Sequence, residues 1–109
     1  MSLVALRKTA ANLPDAWSSR LLGRIGGAGV KVLRMDGSPL ARESHGAAEA
    51  LLVLEGTLCL TVGDADVEVG AGEMYIVGPG VEHAVRPGSN GTLVIVEHLA
   101  DVPCAGGTA

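Results

Sequence analysis

The sequence predicts an all-β sandwich or barrel, and three observations support this fold class. From residue 20 onward, short runs of Val, Leu, Ile and Thr are separated by turn residues about every 8 to 12 positions. Sixteen glycines are present, most of them between these runs. No helical stretch of normal length interrupts the pattern. Because the chain has 109 residues, we expect one domain at 19–100, between an N-terminal arm at 1–18 and a flexible C-terminal tail at 101–109.

The N-terminal arm is expected to be irregular or partly helical. Pro14 and Asp15 break the segment, so a long helix is not expected. A lone tryptophan outside any motif, such as Trp17, is more often a packing residue than a platform for a ligand. The apolar side chains of the arm are therefore predicted to cover part of the domain; they are Leu3, Leu6, Leu13 and Trp17.

Eight runs are predicted to form strands. Glycine-containing pairs between them, among them Glu55-Gly56 and Asn90-Gly91, are assigned to tight turns because glycine adopts positive φ angles without strain. A glycine-rich phosphate site is the competing interpretation, but no such motif opens a helix in this sequence. The predicted strands, in chain order, are 20–25, 30–35, 48–55, 57–63, 66–69, 74–77, 83–86 and 92–98.

The predicted strand at 48–55 has two apolar faces. Side chains alternate along a strand, so Glu49 and Leu51 share one face while Leu52 lies on the other. The strand at 92–98 repeats this pattern. A small barrel cannot bury both faces, so cover must come from a second sheet layer, the N-terminal arm or another chain. We expect a homodimer.

Composition and charge exclude several classes of partner. The net charge is -4, Lys and Arg are scattered, and aromatic residues make up only 2%, so neither binding to a nucleic-acid phosphate backbone nor stacking on bases is expected as the main activity. No apolar run approaches a membrane-spanning length, and the first residues lack the order of a signal peptide. Cys59 and Cys104 form neither a disulfide framework nor a CxxC pair, and Cys59 is expected to be a packing residue. We therefore expect a cytoplasmic protein with no nucleic-acid or membrane partner.

Two short segments carry the residues suited to chemistry, including two of the three histidines. Glu43 and His45 point to the same side if their segment is extended, and Glu49 begins the next strand facing inward. His83 lies in the second segment. Two imidazoles with one or two carboxylates, delivered from separate strands, suit a divalent transition metal with open positions for a small ligand.

Structural roles are the competing interpretation for these residues. Glu49 would then pair with Arg42 or Arg34, and His45 would be hydrogen bonded within the barrel. Arg34, Arg42 and Tyr75 are also candidates to line the barrel mouth and contact an anionic or hydroxylated ligand. The alternative for these three is that they are solvated or paired with nearby carboxylates.

The order and spacing of these residues resemble two signatures of the cupin superfamily. The first signature is matched by Gly37, five residues, Glu43, one residue, His45, three residues, Glu49, six residues and Gly56. The family has His at the place of Glu43. The second is matched by Gly72, five residues, Gly78, one residue, Gly80, two residues and His83. The family has Pro at the place of Gly78. The resemblance covers about residues 30–98 and is that of a small single-domain cupin.

This resemblance implies a double-stranded β-helix, the jelly-roll barrel of cupins. It also implies a divalent metal ion, such as iron, manganese or zinc, held by His45, Glu49 and His83 at the matched positions. Glu43 occupies the remaining ligand position with a carboxylate, which still binds these ions. His98 matches no signature position and is expected to pack or hydrogen bond at a strand end.

The resemblance further implies a metal-binding protein that acts on or binds a small molecule. Many cupins are metal-dependent enzymes, so an isomerase or oxygenase of unassigned substrate is the first candidate. A non-catalytic small-ligand binder or sensor is the second, and an empty scaffold stabilised by dimerisation is the third, because one fold serves many functions. The metal content of tag-free protein separates the first two from the third. Turnover or oxygen uptake then separates the first from the second.

Overall fold

The computed structural model describes residues 2–99, which contain one short helix and eight strands. The predicted all-β class is therefore confirmed. The predicted tail at 101–109, with Cys104, lies outside the described residues. The elements are α1 (Leu6–Ala11), β1 (Arg20–Ile25), β2 (Ala28–Asp36), β3 (Leu40–Glu43), β4 (Glu49–Val62), β5 (Ala65–Gly70), β6 (Met74–Val77), β7 (His83–Val85) and β8 (Asn90–His98).

The strands form a jelly-roll barrel in which β4 joins the two sides. The order along the sheet is β1-β2-β8-β4-β7-β3, and β5 and β6 also pair with β4. The first part of β4 pairs with β6 and β8, whereas its last part pairs with β5 and β7. All of these pairs are antiparallel. One strand of 14 residues thus passes from one side of the barrel to the other.

The assignment of Glu55-Gly56 and Asn90-Gly91 to tight turns is wrong, because both pairs lie inside strands. Gly56 and Gly91 face each other across β4 and β8, with φ angles of 86° and 112°. A Cβ on Gly56 would collide with the carbonyl oxygen of Asn90, and a Cβ on Gly91 with that of Glu55. The register shifts just before this point, between Val53 and Glu55. The glycines therefore allow a close backbone contact where β4 bends, as in a β-bulge.

Strand β3 was not predicted from the sequence. All four of its residues are exposed, so the segment lacks the alternating apolar pattern that indicates a strand. It forms by pairing with β7, in which Leu40 lies opposite Val85 and Glu43 opposite His83. This pairing brings the first candidate segment beside the second.

The interior of the barrel is filled by aliphatic side chains. Val53, Leu58 and Leu60 are fully buried there. Because the sequence has no Phe, the core is built from many small residues rather than a few aromatic ones. The buried cluster consists of Leu33, Met35, Leu51, Val53, Leu58, Leu60, Val69, Val77, Val85 and Leu93, and Trp17 packs against it as predicted for the arm.

Helix α1 covers part of the outer face of the sheet. Ala10 is buried against Val32 on β2 and Val94 on β8. The arm therefore covers part of the second apolar face that the sequence predicted for the strand at 92–98. Arg34 donates from Nη1 to the carbonyl oxygens of Ala10 at 3.3 Å and Leu13 at 2.7 Å, which satisfies groups at the helix C-terminus. The suggestion that Arg34 lines the barrel mouth is therefore wrong. Between residues 2 and 99, no helix is long and apolar enough to span a bilayer.

Another part of the outer face has no cover from the described residues. Ala50 lies between Ile76 on β6 and Val96 on β8. Ile76 is 62% exposed, the neighbouring Met74 is 55% exposed and Val96 is 38% exposed. These apolar side chains form a continuous strip across three strands, which we call the outer strip.

Candidate metal centre

Three strand ends bring the four candidate residues to one end of the barrel. Glu43 is the last residue of β3, and Glu49 and His83 are the first residues of β4 and β7. His45 lies in the connection between β3 and β4, where its carbonyl oxygen accepts a hydrogen bond from the backbone N–H of Gly80 at 2.7 Å. Gly80 has a φ angle of 73°, so glycine permits the turn that makes this bond. The predicted residues are thus neighbours in space.

Three of the four side chains form a compact group. Ligand atoms of Glu43, His45 and His83 all lie within 4.8 Å of one another. His45 Nε2 is 3.4 Å from Glu43 Oε1, and His83 Nε2 is 3.8 Å from the same oxygen. Glu49 contacts the group through His83, since its Oε1 is 3.2 Å from His83 Nε2. Three strands and one loop therefore present four metal-ligand side chains to one region.

The group has a buried side and an open side. The side chains of His83 and Glu49 are only 5% and 9% exposed. Those of His45 and Glu43 are 44% and 53% exposed. An ion between them would be anchored from inside the barrel and could be reached from solvent.

The hydrogen bond of His83 fixes which of its ring nitrogens faces the group. Nδ1 lies 3.1 Å from the carbonyl oxygen of Val81. A carbonyl oxygen only accepts, so Nδ1 carries the proton, and in the neutral ring Nε2 presents a lone pair. That lone pair faces carboxylate oxygens of both Glu49 and Glu43. Three acceptors in contact need a cation among them, either a proton or a metal ion.

The electrostatics of Glu49 also indicate that a cation is needed in this group. Burial raises the pKa of the Glu49 carboxyl above its ordinary value of 4.5, and the nearby His45 and His83 act in the opposite direction. Glu97 also raises it, through its charge and a side-chain hydrogen bond. The charged form of Glu49 is therefore held in the barrel at a cost that a bound cation would offset. The chemistry of the donor set fits a divalent metal.

Glu97 and Lys31 were missed in the sequence, although they adjoin the group. Glu97 lies directly opposite Glu49 across β4 and β8. Lys31 Nζ is 2.6 Å from Glu97 Oε2, and both side chains are about three-quarters buried. The sequence pattern could have identified Glu97, because alternation in β8 places it on the same inward face as Leu93 and Ile95.

A cavity of about 280 Å³ lies beside the group at this end of the barrel. Glu43, His45, Glu49 and His83 all line it, and Glu97 lies beside them. The remaining wall is mostly aliphatic and is completed by Leu40 and Val85, by Trp17 and Ser19, and by Leu33, Leu51, Leu58, Leu60, Leu93 and Ile95. The candidate ligands thus form the polar end of an otherwise apolar chamber.

The competing structural pairings of Glu49 are not formed. Arg34 is engaged by the carbonyls at the end of α1, as described above. Arg42 lies 3.9 Å from Glu82 and 3.4 Å from the carbonyl oxygen of Gly63. Glu49 therefore has no arginine partner among the described residues, and its contacts are with the histidines and Glu97.

The other candidates lie outside the group. Tyr75 packs against the core cluster and does not line the cavity, and neither does Arg42. His98 is exposed at the end of β8, and its ring lies beside Gly27. Cys59 is half-buried, with its backbone N–H donating to Ser89 Oγ at 2.8 Å. None of these residues contributes a side chain to the site.

A jelly-roll barrel with a cluster of histidines and carboxylates at one end defines the class of protein. A family model described as a cupin domain matches residues 33–98. The chain therefore belongs to the cupin family, and the resemblance seen in the two signatures is confirmed. Among curated proteins, none matches the chain.

Solved structures share the fold over most of the chain. A cupin-2 domain containing protein from Shewanella frigidimarina is 25% identical, with a TM-score of 0.80 over 88% of this chain and 94% of that one. A protein from Neisseria meningitidis is 21% identical, with a TM-score of 0.77 and coverage of 89% and 99%. A conserved protein of unknown function from Streptococcus pyogenes is 20% identical, with a TM-score of 0.76 and coverage of 92% and 89%. These solved structures support the cupin architecture, and their names state no activity.

Proposed function

We propose that this protein is a metal-binding cupin that binds or acts on a small molecule in its barrel. The ion is held by His45, Glu49 and His83, with Glu43 as a fourth ligand. One observation carries the proposal, which is that Nε2 of buried His83, whose Nδ1 bonds to a carbonyl oxygen, faces carboxylate oxygens of both Glu43 and Glu49. A divalent cation would be coordinated by all three of these atoms at once, whereas a proton is shared by two.

The donor set favours iron, manganese or zinc. Imidazole suits iron and zinc, and carboxylate oxygen suits manganese and iron(II). When bound, such an ion supplies Lewis acidity and open positions for a small ligand. An isomerase or an oxygenase is therefore the reaction class that we propose first. Iron in tag-free protein with oxygen uptake would support the oxygenase, and zinc or manganese without oxygen uptake would favour the isomerase.

A non-catalytic ligand binder or sensor is the second candidate. The wall of the cavity favours it, because in the described part of the chain Glu97 is the one acid or base that lines the cavity besides the four proposed ligands. Glu97 is already paired with Lys31. Metal-dependent ligand binding without turnover of the bound ligand would favour this candidate over an enzyme.

Glu43 is expected to lower the Lewis acidity of the bound metal. Two carboxylates cancel the charge of a divalent ion, whereas the three histidines and one Glu of the family pattern leave one net positive charge. In a Glu43→His variant, we expect an anion such as azide to bind about fivefold more tightly, from a gain of about 1 kcal/mol at a solvent-exposed site. The pKa of metal-bound water should also fall.

Azide titration of the cobalt-loaded proteins, followed by visible absorption, measures this change. Glu82→His is the matched control, because Glu82 is exposed and does not line the cavity. Equal azide affinity in wild type and Glu43→His, with metal bound to both, would show that Glu43 is not a ligand.

We also propose that the protein is a homodimer, in which two copies cover the outer strip. The support is the exposure of Met74, Ile76 and Val96 on one continuous face. Ile76→Asp is expected to give monomers at micromolar concentration, measured by light scattering. Leu3→Asp is the control, since Leu3 is fully exposed in the arm. A wild-type protein that is monomeric under these conditions would refute the dimer.

A cytoplasmic location is part of the proposal. The support is the absence of a disulfide framework, because the sequence has only two cysteines and their spacing is not that of a redox pair. Cys59 forms no disulfide with another residue in the described part of the chain. Fractionation of the source cells with an antibody to the protein tests this location.

A further inference from the structure

The wall of the cavity beyond the metal ligands offers few hydrogen-bonding groups that are not already paired. Most of it is aliphatic, and Leu40 and Ile95 are its most exposed aliphatic side chains, whereas Leu58 and Leu60 are fully buried behind the surface. Three polar residues share this wall: Trp17, whose Nε1 donates to Asp36 Oδ1 at 2.9 Å, Glu97, which is paired with Lys31, and Ser19, which is exposed. Hydroxyl groups of a ligand placed here would lose water without gaining partners. Sugars and other polyols are therefore poor occupants of this chamber.

The charges around the cavity argue against a second anionic group on the ligand. Among the residues at 2–99, no Arg or Lys lines the cavity. Lys31 is the nearby cation on the inward side, and it is held by Glu97 at 2.6 Å. A phosphate or second carboxylate would therefore meet carboxylates and leucines rather than a free positive charge.

The size of the chamber sets a further limit. Its volume of about 280 Å³ lies at the lower end of the range for small-molecule sites, which is about 300 to 1,000 Å³. The chamber is therefore too small for a nucleotide-sized ligand but has room for a short branched carbon chain.

We infer that the ligand is a small molecule with a short aliphatic body and a single oxygen-bearing head group. The head group binds the metal, and the body lies against the aliphatic wall of the cavity. This inference rests on the proposed metal site and adds the class of ligand to it. The aliphatic wall supplies affinity through apolar burial, which grows with each added methylene group.

Three probes with the same head group test the inference. 4-Methyl-2-oxopentanoate has a branched aliphatic body, pyruvate has a single methyl group, and 2-oxoglutarate has a second carboxylate. With zinc-loaded protein in a calorimeter, we expect 4-methyl-2-oxopentanoate to bind at least about tenfold more tightly than pyruvate. We expect 2-oxoglutarate to be weaker than 4-methyl-2-oxopentanoate by at least the same factor. Equal affinities, or tighter binding of 2-oxoglutarate, would overturn the inference.

A substitution that fills the chamber tests whether the aliphatic body of the ligand binds there. Val85 lines the cavity, and Ala84 is its neighbour on the opposite face of β7. In Val85→Phe, the preference for 4-methyl-2-oxopentanoate over pyruvate should fall below about threefold, whereas Ala84→Phe should retain it. A preserved tenfold preference in Val85→Phe would place the aliphatic group outside the chamber and overturn the inference. If Val85→Phe does not fold, the order of binding affinities of the three probes in wild type decides whether the inference holds.

Metal content separates this inference from the proposed function. Wild-type protein that takes up no zinc contradicts the proposed metal site, and the inference falls with it. Protein that binds one zinc per chain but shows no preference among the probes contradicts the inference alone.

Discussion

Replacing His83 with alanine is expected to lower the affinity of the site for a divalent metal by more than about 100-fold. Loss of a residue that only orients a ligand typically costs 10- to 100-fold in affinity, and loss of a direct ligand should cost more. The side chain of His83 is 5% exposed and lies 3.2 Å from Glu49, so solvent does not readily replace it. Competition with a chelating indicator, using zinc or manganese, measures the change.

His98→Ala is the matched control for this prediction. His98 is an exposed histidine outside the cluster, so its removal should leave metal affinity unchanged. Acidification should release the metal from wild type, because ligands that bind metal must lose their protons. Equal metal occupancy in wild type and His83→Ala after loading would show that the ion is held elsewhere.

Replacing Glu49 with glutamine should have opposite effects on the metal-free and metal-loaded proteins. Burial raises the pKa of Glu49 in the folded state above 4.5. The folded state therefore favours the protonated form, and the contribution of Glu49 to stability is greatest below about pH 4.5 and is lost as pH rises through the raised value. Glutamine stays neutral, so metal-free Glu49→Gln should be more stable than metal-free wild type at neutral pH.

Metal should reverse this order of stability. A metal concentration of about 100 times the Kd stabilises wild type by about 2.7 kcal/mol, or roughly 10 to 20 °C in Tm for a domain of this size. Glu49→Gln lacks a charged ligand and should gain far less. Urea and thermal unfolding between pH 4 and 8, with EDTA or with zinc, measure both effects.

Glu68→Gln is the control for the loss of a carboxylate, because Glu68 is exposed on β5. Both Glu49→Gln and wild type retain His45 and His83, so the difference between their pH profiles reports on Glu49. Parallel profiles in EDTA would show that Glu49 does not destabilise the metal-free fold. An equal rise in Tm with zinc would remove Glu49 from the ligand set.

Much of the fold was predictable because inward and outward side chains alternate along its strands. Strand β1 begins and ends as predicted, and Glu49 faces inward with Leu51 as the alternation required. Strand β3 was not predictable, since its exposed residues are ordered by pairing with β7 rather than by their own pattern. The glycines at 56 and 91 were misassigned, because a turn and a bulge both use glycine and only the pairing partner distinguishes them.

The proximity of the candidate ligands was predictable from their order and spacing, but their hydrogen bonds were not. The resemblance to cupin signatures selected His45, Glu49 and His83, which the strands bring to one end of the barrel. The bond from His83 to the carbonyl of Val81 depends on the path of the backbone, which spacing does not specify. The position of Arg34 likewise depended on where α1 ends.

An anomalous-difference Fourier map is the most direct measurement of the proposed metal centre. Crystals of tag-free protein loaded with zinc or manganese would be used, with data collected at the absorption edge of the metal or, for manganese, above it. We predict a single strong peak per chain, about 2.0 to 2.3 Å from Nε2 of His45, Nε2 of His83 and a carboxylate oxygen of Glu49. A map with no peak among these atoms, or with a peak whose ligands exclude His83, would contradict the proposal.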